Sequence, residues 1–323
     1  MDMALVARRP GGPEVMEWSA VETAAPGPGE ALVRHTAIGV NFIDVYHRSG
    51  LYPWPEGMMI PGAEAAGVVE AVGPGVDTVR PGDRVAYVLK FGAYRTRRVV
   101  PAGRLVRLPD AISDTVAASV MLKGLTAQYL VTSSYAVQPG DTVLVHAAAG
   151  GVGLLLGQWL RAIGARAIGT AGGPAKVALA LEHGYSDVID YTATDFAPEV
   201  ARLTRGALCA AVYDSVGRDT WRGSLACLKR FGMFVNFGQS SGMIEDFKLS
   251  DLARGSLSAN RPMLFDYVDA REDLERRAAD LFGRLERGEV RADVVATRPL
   301  SEAAEAHAAL EGRRTTGTTV LIP

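Results

Sequence analysis

The stretch from Gly140 to Arg161, GDTVLVHAAAGGVGLLLGQWLR, constrains the fold more than any other, because an apolar strand-like run enters a turn of small residues and leaves as a helix-length segment. Measured against the G-x-G-x-x-G pattern of a βαβ dinucleotide unit, the first position is Ala148, the second Gly150 and the third Gly153. Gly150 lets the backbone approach a pyrophosphate, and Gly153 lets the helix lie close to the strand. The helix N-terminus offers N–H groups to phosphate. Ala148 departs from the usual pattern. The plain alternative is a tight turn in some other α/β protein. The strand that follows falls where a dinucleotide unit needs it, which favours nucleotide binding.

On either side of that unit the pattern changes. From Met1 to about Leu125 the chain reads as short strands, ALVRHTAIGV, AAGVVEAVG and DRVAYVL, broken at PGPGE, PGAE and RPGDR. This predicts an all-β body. From about Gln138, strand-like runs alternate with helix-length ones: TVLVHAA, RAIGTA, DVIDY, LCAAVYDS and FGMFVNFG are separated by GVGLLLGQWLRAIG, PAKVALALEHG, DFAPEVARLTR and a stretch through CLKR. That alternation predicts a doubly wound parallel sheet running to about Asn260. A charged amphipathic helix (AREDLERRAADLFGRLERGEV), a shorter one (SEAAEAHAAL) and a strand-like TTVLIP, free to return to the first body, close the chain.

Bulk properties narrow the partners. The 323 residues, 48% hydrophobic and 22% charged, suffice for two cores, and a formal charge of -2 gives no global pull toward nucleic acid or anionic membrane. A small-molecule partner is expected, with neither nucleic acid nor membrane insertion. The two cysteines, Cys209 and Cys227, make neither a disulfide framework nor a four-thiolate zinc cluster. With no signal-peptide pattern in MDMALVARRPGGPE and no long apolar run, the expectation is a cytoplasmic protein.

The second strand of a dinucleotide unit ends in Asp or Glu when the ligand is NAD, because that carboxylate accepts from the adenine ribose. Here it ends Gly169-Thr170-Ala171-Gly172-Gly173-Pro174. No acid follows until Glu182, and Lys176 places a cation at the start of the next helix. A 2′-phosphate is welcomed there, so NADPH is the expected cofactor. The competing account of Lys176 is a solvated helix residue.

The AAAGGVG turn with Gln158 and Arg161, the block GVNFIDVYHRSGLYPWPEGMMIPGAEAAGVVEAVG, RPGDRVAY, MLKGLTAQYL, NFGQSSG and GRRTTGTTVLIP together resemble the quinone oxidoreductase, or zeta-crystallin-like, branch of the medium-chain dehydrogenase/reductase superfamily. The resemblance covers nearly the whole chain. It implies an α/β two-domain protein. A GroES-like, β-rich catalytic domain would be formed by residues 1–125 and 261–323, and a Rossmann doubly wound parallel-sheet domain, binding NADPH, by residues 126–260. It also implies a homodimer. Carried over position by position, the cofactor residues would be Asn41, Thr126, and Ala149, Gly150, Gly151 and Val152 of the phosphate turn. Gly172, Gly173, Lys176, Tyr191 and Arg313 would serve the adenine end. Phe237, Gly238 and Ser240 of the FGQS turn, and Arg261 between Asn260 and Pro262, match stretches along the nicotinamide half, and Gly317 belongs to the closing block.

Zinc alcohol dehydrogenases of the same superfamily use a Cys in the first motif and a His-Glu pair in the second. Here Asn41 stands at the Cys position and Ala63 precedes Glu64 where His would stand. Glu64 alone cannot hold zinc, so no metal is expected. Without a Lewis acid, the acceptor must be activated by its own electronics and by hydrogen bonds, which favours quinones and conjugated carbonyls. Asn41 and Tyr46 are the candidates for donating to the acceptor oxygen and Tyr52 for donating a proton, in a cleft expected between the domains. For each tyrosine, packing at a domain edge is an equal alternative. Asp44 reads as structural and His47 as a surface or packing residue. His146 and the two cysteines have no partner visible in sequence. Two rivals stay open: an NADPH-dependent reductase of enoyl thioesters or other α,β-unsaturated carbonyls, and a non-enzymatic RNA-binding or crystallin-like structural role.

Overall fold

The computed structural model describes residues 1–323. Strand β1 (Asp2–Ala7) pairs antiparallel with β2 (Met16–Val21) as a separate two-stranded sheet. After β3 (Glu30–Gly39) the chain forms helix α1 (Phe42–Ser49), then strands β4 (Glu64–Val72), β5 (Arg84–Val88), β6 (Arg97–Pro101) and β7 (Val106–Arg107), and helix α2 (Asp114–Tyr129). In β3 the two-residue period turns Ala31, Val33, His35 and Ala37 inward and leaves Arg34 exposed. Its core partners include Leu5, Val69, Val85, Tyr87 and Tyr94.

The all-β reading of the first 125 residues is corrected by the two helices. Helix α1 has only eight residues, too few to display a repeating face. It is set by local chemistry instead: at its start the Asn41 N–H donates to the Asp44 carboxylate and the Asp44 N–H to the Asn41 backbone carbonyl, and Gly50 ends it in the left-handed region at φ 80°. In α2, Ala117, Ala118, Val120, Met121 and Leu125 are all buried, so no polar stripe marks the helical period.

The next strands are β8 (Thr142–Val145), β9 (Arg166–Ala171), β10 (Asp187–Asp190), β11 (Cys209–Asp214), β12 (Leu228–Asn236) and β13 (Ser258–Asn260). Helices α3 (Gly151–Ile163), α4 (Pro174–Glu182), α5 (Phe196–Leu203) and α6 (Trp221–Ala226) connect them, and α7 (Leu264–Tyr267) follows. All six strands are parallel, in the order β10-β9-β8-β11-β12-β13. Numbered from β8, that is 3-2-1-4-5-6, the doubly wound order whose crevice opens at the carboxyl ends of β8 and β11. Leu144, Ile168, Val212 and Phe234 from four of the strands meet Val200, Trp221 and Leu225 in one core.

The remainder is α8 (Arg271–Glu286), β14 (Val294–Pro299), α9 (Ala303–Glu311) and β15 (Thr318–Ile322). Strand β15 pairs antiparallel with β3, Val320 opposite Gly39, and completes a seven-stranded sheet in which β6 also pairs with β3. Two compact units result. One comprises Met1–Leu125, Tyr267–Glu286 and Ala292–Pro323, and the other Thr126–Asp266 and Arg287–Arg291. No helix is long and apolar enough to cross a membrane.

Candidate cofactor and acceptor site

In the parallel-sheet unit, β8 runs out at Val145 and the chain turns through His146 to Ala149, with Ala147 in the left-handed region at φ 54°. Gly150 caps α3, and its carbonyl accepts from Leu154 N–H, leaving the N–H groups of Gly151, Val152 and Gly153 without intrahelical partners. A Cβ at Gly153 would overlap the Ala147 carbonyl oxygen and stand 2.7 Å from that of Ala148. The helix can begin this close to the strand end only without a side chain there. The result is an uncapped helix N-terminus with no acidic residue in its first turn, which suits an anion.

His146, without a partner in the sequence reading, sits at the centre of a buried network. Ser224 Oγ donates to Asp214 Oδ2 (2.8 Å), so His146 Nε2 donates to Ser224 Oγ (3.0 Å) and Nδ1 accepts from Thr170 Oγ1 (2.9 Å). Burial holds this imidazole below its ordinary value, against the pull of Asp214. Asp214 also accepts from Thr220 Oγ1 (2.7 Å) and from the N–H groups of Val216 and Gly217. These bonds tie together the ends of β8, β9 and β11. The Phe237–Ser240 turn is laced to the same place: Phe237 N–H donates to Asp214 O, Ser240 N–H to Ser215 O, and Asn236 Nδ2 to Asp214 O and Gly238 O. At the end of β13, Asn260 Nδ2 donates to Ser134 Oγ (3.0 Å), and Arg261 donates to Pro262 O. Thr126 is buried in α2.

At the end of β9 the ring of Tyr191 lies over Gly172, where a Cβ would stand 2.6 Å from the phenol oxygen. Gly173 takes φ 85°, and Lys176 stands half-buried in the first turn of α4. The sequence reading found no acid here and missed Asp190 at the end of β10. Its Oδ1 accepts from Gly173 N–H (3.0 Å), Thr192 N–H (3.0 Å) and Thr192 Oγ1 (2.6 Å), and these bonds hold the carboxyl below its ordinary range. The carboxylate fixes the turn. Its only signal was the aspartate that precedes Tyr191 in DVIDY.

In the unit that holds the seven-stranded sheet, Asn41 is almost fully buried. Its backbone N–H donates to Asp44 Oδ2 (2.8 Å), and its Nδ2 donates to Glu64 Oε1 (2.9 Å) and Gly39 O (3.4 Å). Glu64, wholly buried, also accepts from Lys123 Nζ at Oε1 (2.9 Å) and from Leu122 N–H at Oε2 (2.6 Å). Lys123 was overlooked, although one lysine in the otherwise apolar VMLKGL run is itself a sign of a buried charge partner. A zinc ion does not fit this group, since Glu64 is taken by an ammonium, an amide and a peptide N–H, and Asn41 and Ala63 supply neither thiolate nor imidazole.

Tyr46 and Tyr52 are brought together, with ring centroids 5.1 Å apart and Tyr52 N–H donating to Tyr46 O (3.0 Å). Phe42 adjoins Tyr46, and His47 packs edge-on against Tyr52 and Phe91. Burial lowers the His47 imidazole, as suits a packing residue. Asp44 is buried, accepts from Tyr94 Oη (3.0 Å), and is pushed up to about 7 by burial. Arg313 is exposed, at φ 55°, and a Cβ at Gly317 would stand 2.7 Å from Val295.

Comparison with known proteins gives a consistent picture. Residues 27–110 match the profile of the alcohol dehydrogenase GroES-like domain, and residues 151–283 that of zinc-binding dehydrogenases. A quinone oxidoreductase of Pseudomonas aeruginosa is 49% identical over 315 residues, 97% of each chain. A 2-haloacrylate reductase of Burkholderia is 42% identical over 332 residues, covering 100% of this chain and 99% of its own. The crystal structure of Escherichia coli quinone oxidoreductase complexed with NADPH matches with a TM-score of 0.97 and 43% identity, over 99% of this chain and 100% of the other.

Proposed function

This chain belongs to the quinone oxidoreductase branch of the medium-chain dehydrogenase/reductase superfamily, and on that premise we propose that it is a zinc-independent NADPH:quinone oxidoreductase. The observation that carries the reading is the presence in one chain of a dinucleotide cradle and of a catalytic-domain acid, Glu64, bound by Lys123 and Asn41. When bound, NADPH supplies the hydride. The protein's own part is to hold and orient. The α3 N-terminus and the Gly150–Gly153 turn take the pyrophosphate, and Lys176, Tyr191 and Arg313 the adenine end with its 2′-phosphate. Asn41, Thr126, Ala149, Phe237, Gly238, Ser240, Arg261 and Gly317 complete the cofactor residues of this proposal. Tyr46 and Tyr52 present phenol groups able to donate to an acceptor oxygen as charge develops on it.

NADPH oxidation followed in parallel with 1,2-quinones, 1,4-quinones, crotonyl thioesters and 2-chloroacrylate tests the assignment. Turnover is expected to be fastest with a quinone. The full-length kinship to a 2-haloacrylate reductase makes a conjugated carbonyl the second reading, and a dominant rate with the thioester or haloacrylate would establish it instead.

We propose further that the enzyme is a homodimer. Strand β13 is an edge of the parallel sheet with Ser258 and Ala259 exposed, and Phe231 and Leu249, 70% and 81% exposed, leave the same unit with uncovered apolar surface. Light scattering at a twice-protomer mass is the expected result. The two unpaired cysteines support a reducing, cytoplasmic setting, which cell fractionation would test.

A further inference from the structure

The pair of Lys123 and Glu64 has no part in binding or hydride delivery as described, yet it is among the most enclosed polar features of its unit. Side-chain exposure is 7% for Lys123 and 0% for Glu64. Gly39 makes the room, since a Cβ there would overlap the Glu64 carboxylate. As a stabilising device such a pair gains little over apolar side chains of the same volume, because desolvating both charges offsets their attraction. What it does control is the polarity of Asn41. A carboxylate and a peptide carbonyl only accept, so the nitrogen side of the amide must face Glu64 and Gly39, and both N–H groups are spent inside the protein. The expected role of Asn41 as a donor to the acceptor oxygen has no N–H left to perform it.

We propose that Lys123 is a positioning residue that, by neutralising Glu64, locks the Asn41 amide so that it meets the cofactor as a hydrogen-bond acceptor. The group Asn41 recognises is then a donor on NADPH, a ribose hydroxyl or the carboxamide NH2. The acceptor carbonyl, which gains negative charge, is served by other groups. Remove the ammonium, and a lone buried carboxylate takes up a proton and becomes a donor as well as an acceptor. The amide of Asn41 is then free to flip, and its carbonyl is lost to the ligand.

The inference rests on the reading that the nicotinamide cofactor approaches Asn41, and its test uses NADPH binding without any acceptor. NADPH dissociation constants and melting temperatures are measured for the wild type, Asn41→Ala, Lys123→Met and the double variant. Each single change is expected to weaken NADPH at least fivefold. In the Asn41→Ala background, Lys123→Met should change affinity less than twofold, while lowering the melting temperature as much as it does in the wild type. A purely structural lysine would multiply the losses instead. Multiplied effects, or unchanged NADPH affinity in either single variant, overturn the proposal. Should Lys123→Met not fold, the Glu64→Gln/Lys123→Met pair, which buries no lone charge, goes through the same cycle. A wild type that binds NADPH but reduces no quinone would refute the functional assignment and leave this one standing.

Discussion

Lys176 stands in the first turn of α4, just past the bend at Gly172 and Gly173 that Asp190 and Tyr191 hold in place. A 2′-phosphate there gains a charge-assisted contact, and a carboxylate would replace attraction with repulsion. Lys176→Glu is therefore expected to raise KM for NADPH at least tenfold, about 2 kcal/mol or more, with little effect on NADH. Equal effects on both cofactors would remove Lys176 from the adenine site. In the proposed site, Tyr46 serves the acceptor. If its phenol donates to an oxygen that gains charge, Tyr46→Phe should lower kcat by up to about a hundredfold while NADPH affinity stays near wild type. Stopped-flow turnover and cofactor titration of one preparation separate the two quantities, and an unchanged kcat returns Tyr46 to packing against Tyr52.

The start of α3 is where an element, more than any single side chain, makes the site. Its first turn lies so close to the Ala147–Ala148 carbonyls that Gly153 has no space for a Cβ. Gly153→Ala must push the helix away from the strand end, at a cost of about 1–3 kcal/mol, and move the N–H groups proposed to bind the phosphates. NADPH affinity is expected to fall about tenfold or more, together with the melting temperature. A variant that binds NADPH normally would show that the phosphates lie elsewhere. The network of His146, Thr170, Ser224 and Asp214 holds the neighbouring strand ends in the same way, through four elements that no local sequence window contains.

For the whole molecule, buried titratable groups set the response to acid. Burial holds the imidazoles of His35 and His307 down at about 3, against an ordinary 6.5. The unfolded chain takes up these protons near pH 6.5 and the folded chain does not until about pH 3. Stability that is full above pH 6.5 is therefore lost progressively as pH falls through that window, at up to about 1.4 kcal/mol per pH unit for each imidazole. Asp44 works in the opposite sense. Raised to about 7, it is protonated in the folded state while ionised in the unfolded one, so from about pH 4 to 7 it lowers stability as pH rises. Two imidazoles outweigh one carboxyl, and the melting temperature should drop from pH 6.5 to 4.5. His307→Gln, which keeps a polar group for Tyr94, should make that profile shallower. An equally steep profile would assign the acid response to other groups.

The dinucleotide unit was legible in sequence because its determinants are local. A strand, a turn with Gly150 and Gly153, and a helix occupy 22 consecutive residues, and the missing acid after Thr170 needs only the end of the next strand. The alternation of strand and helix periods likewise fixed the parallel sheet, since a sheet buried on both faces needs apolar strands joined by covering helices. Tertiary structure decided what depends on distant residues sharing a buried place. Lys123 meets Glu64 across 59 positions of chain, His146 meets Ser224 across 78, and Tyr94 meets His307 across 213. Hydrogen bonding is directional and a buried charge needs its partner, so whether Asn41 gives or accepts a hydrogen bond is settled by neighbours that its own stretch of sequence does not contain.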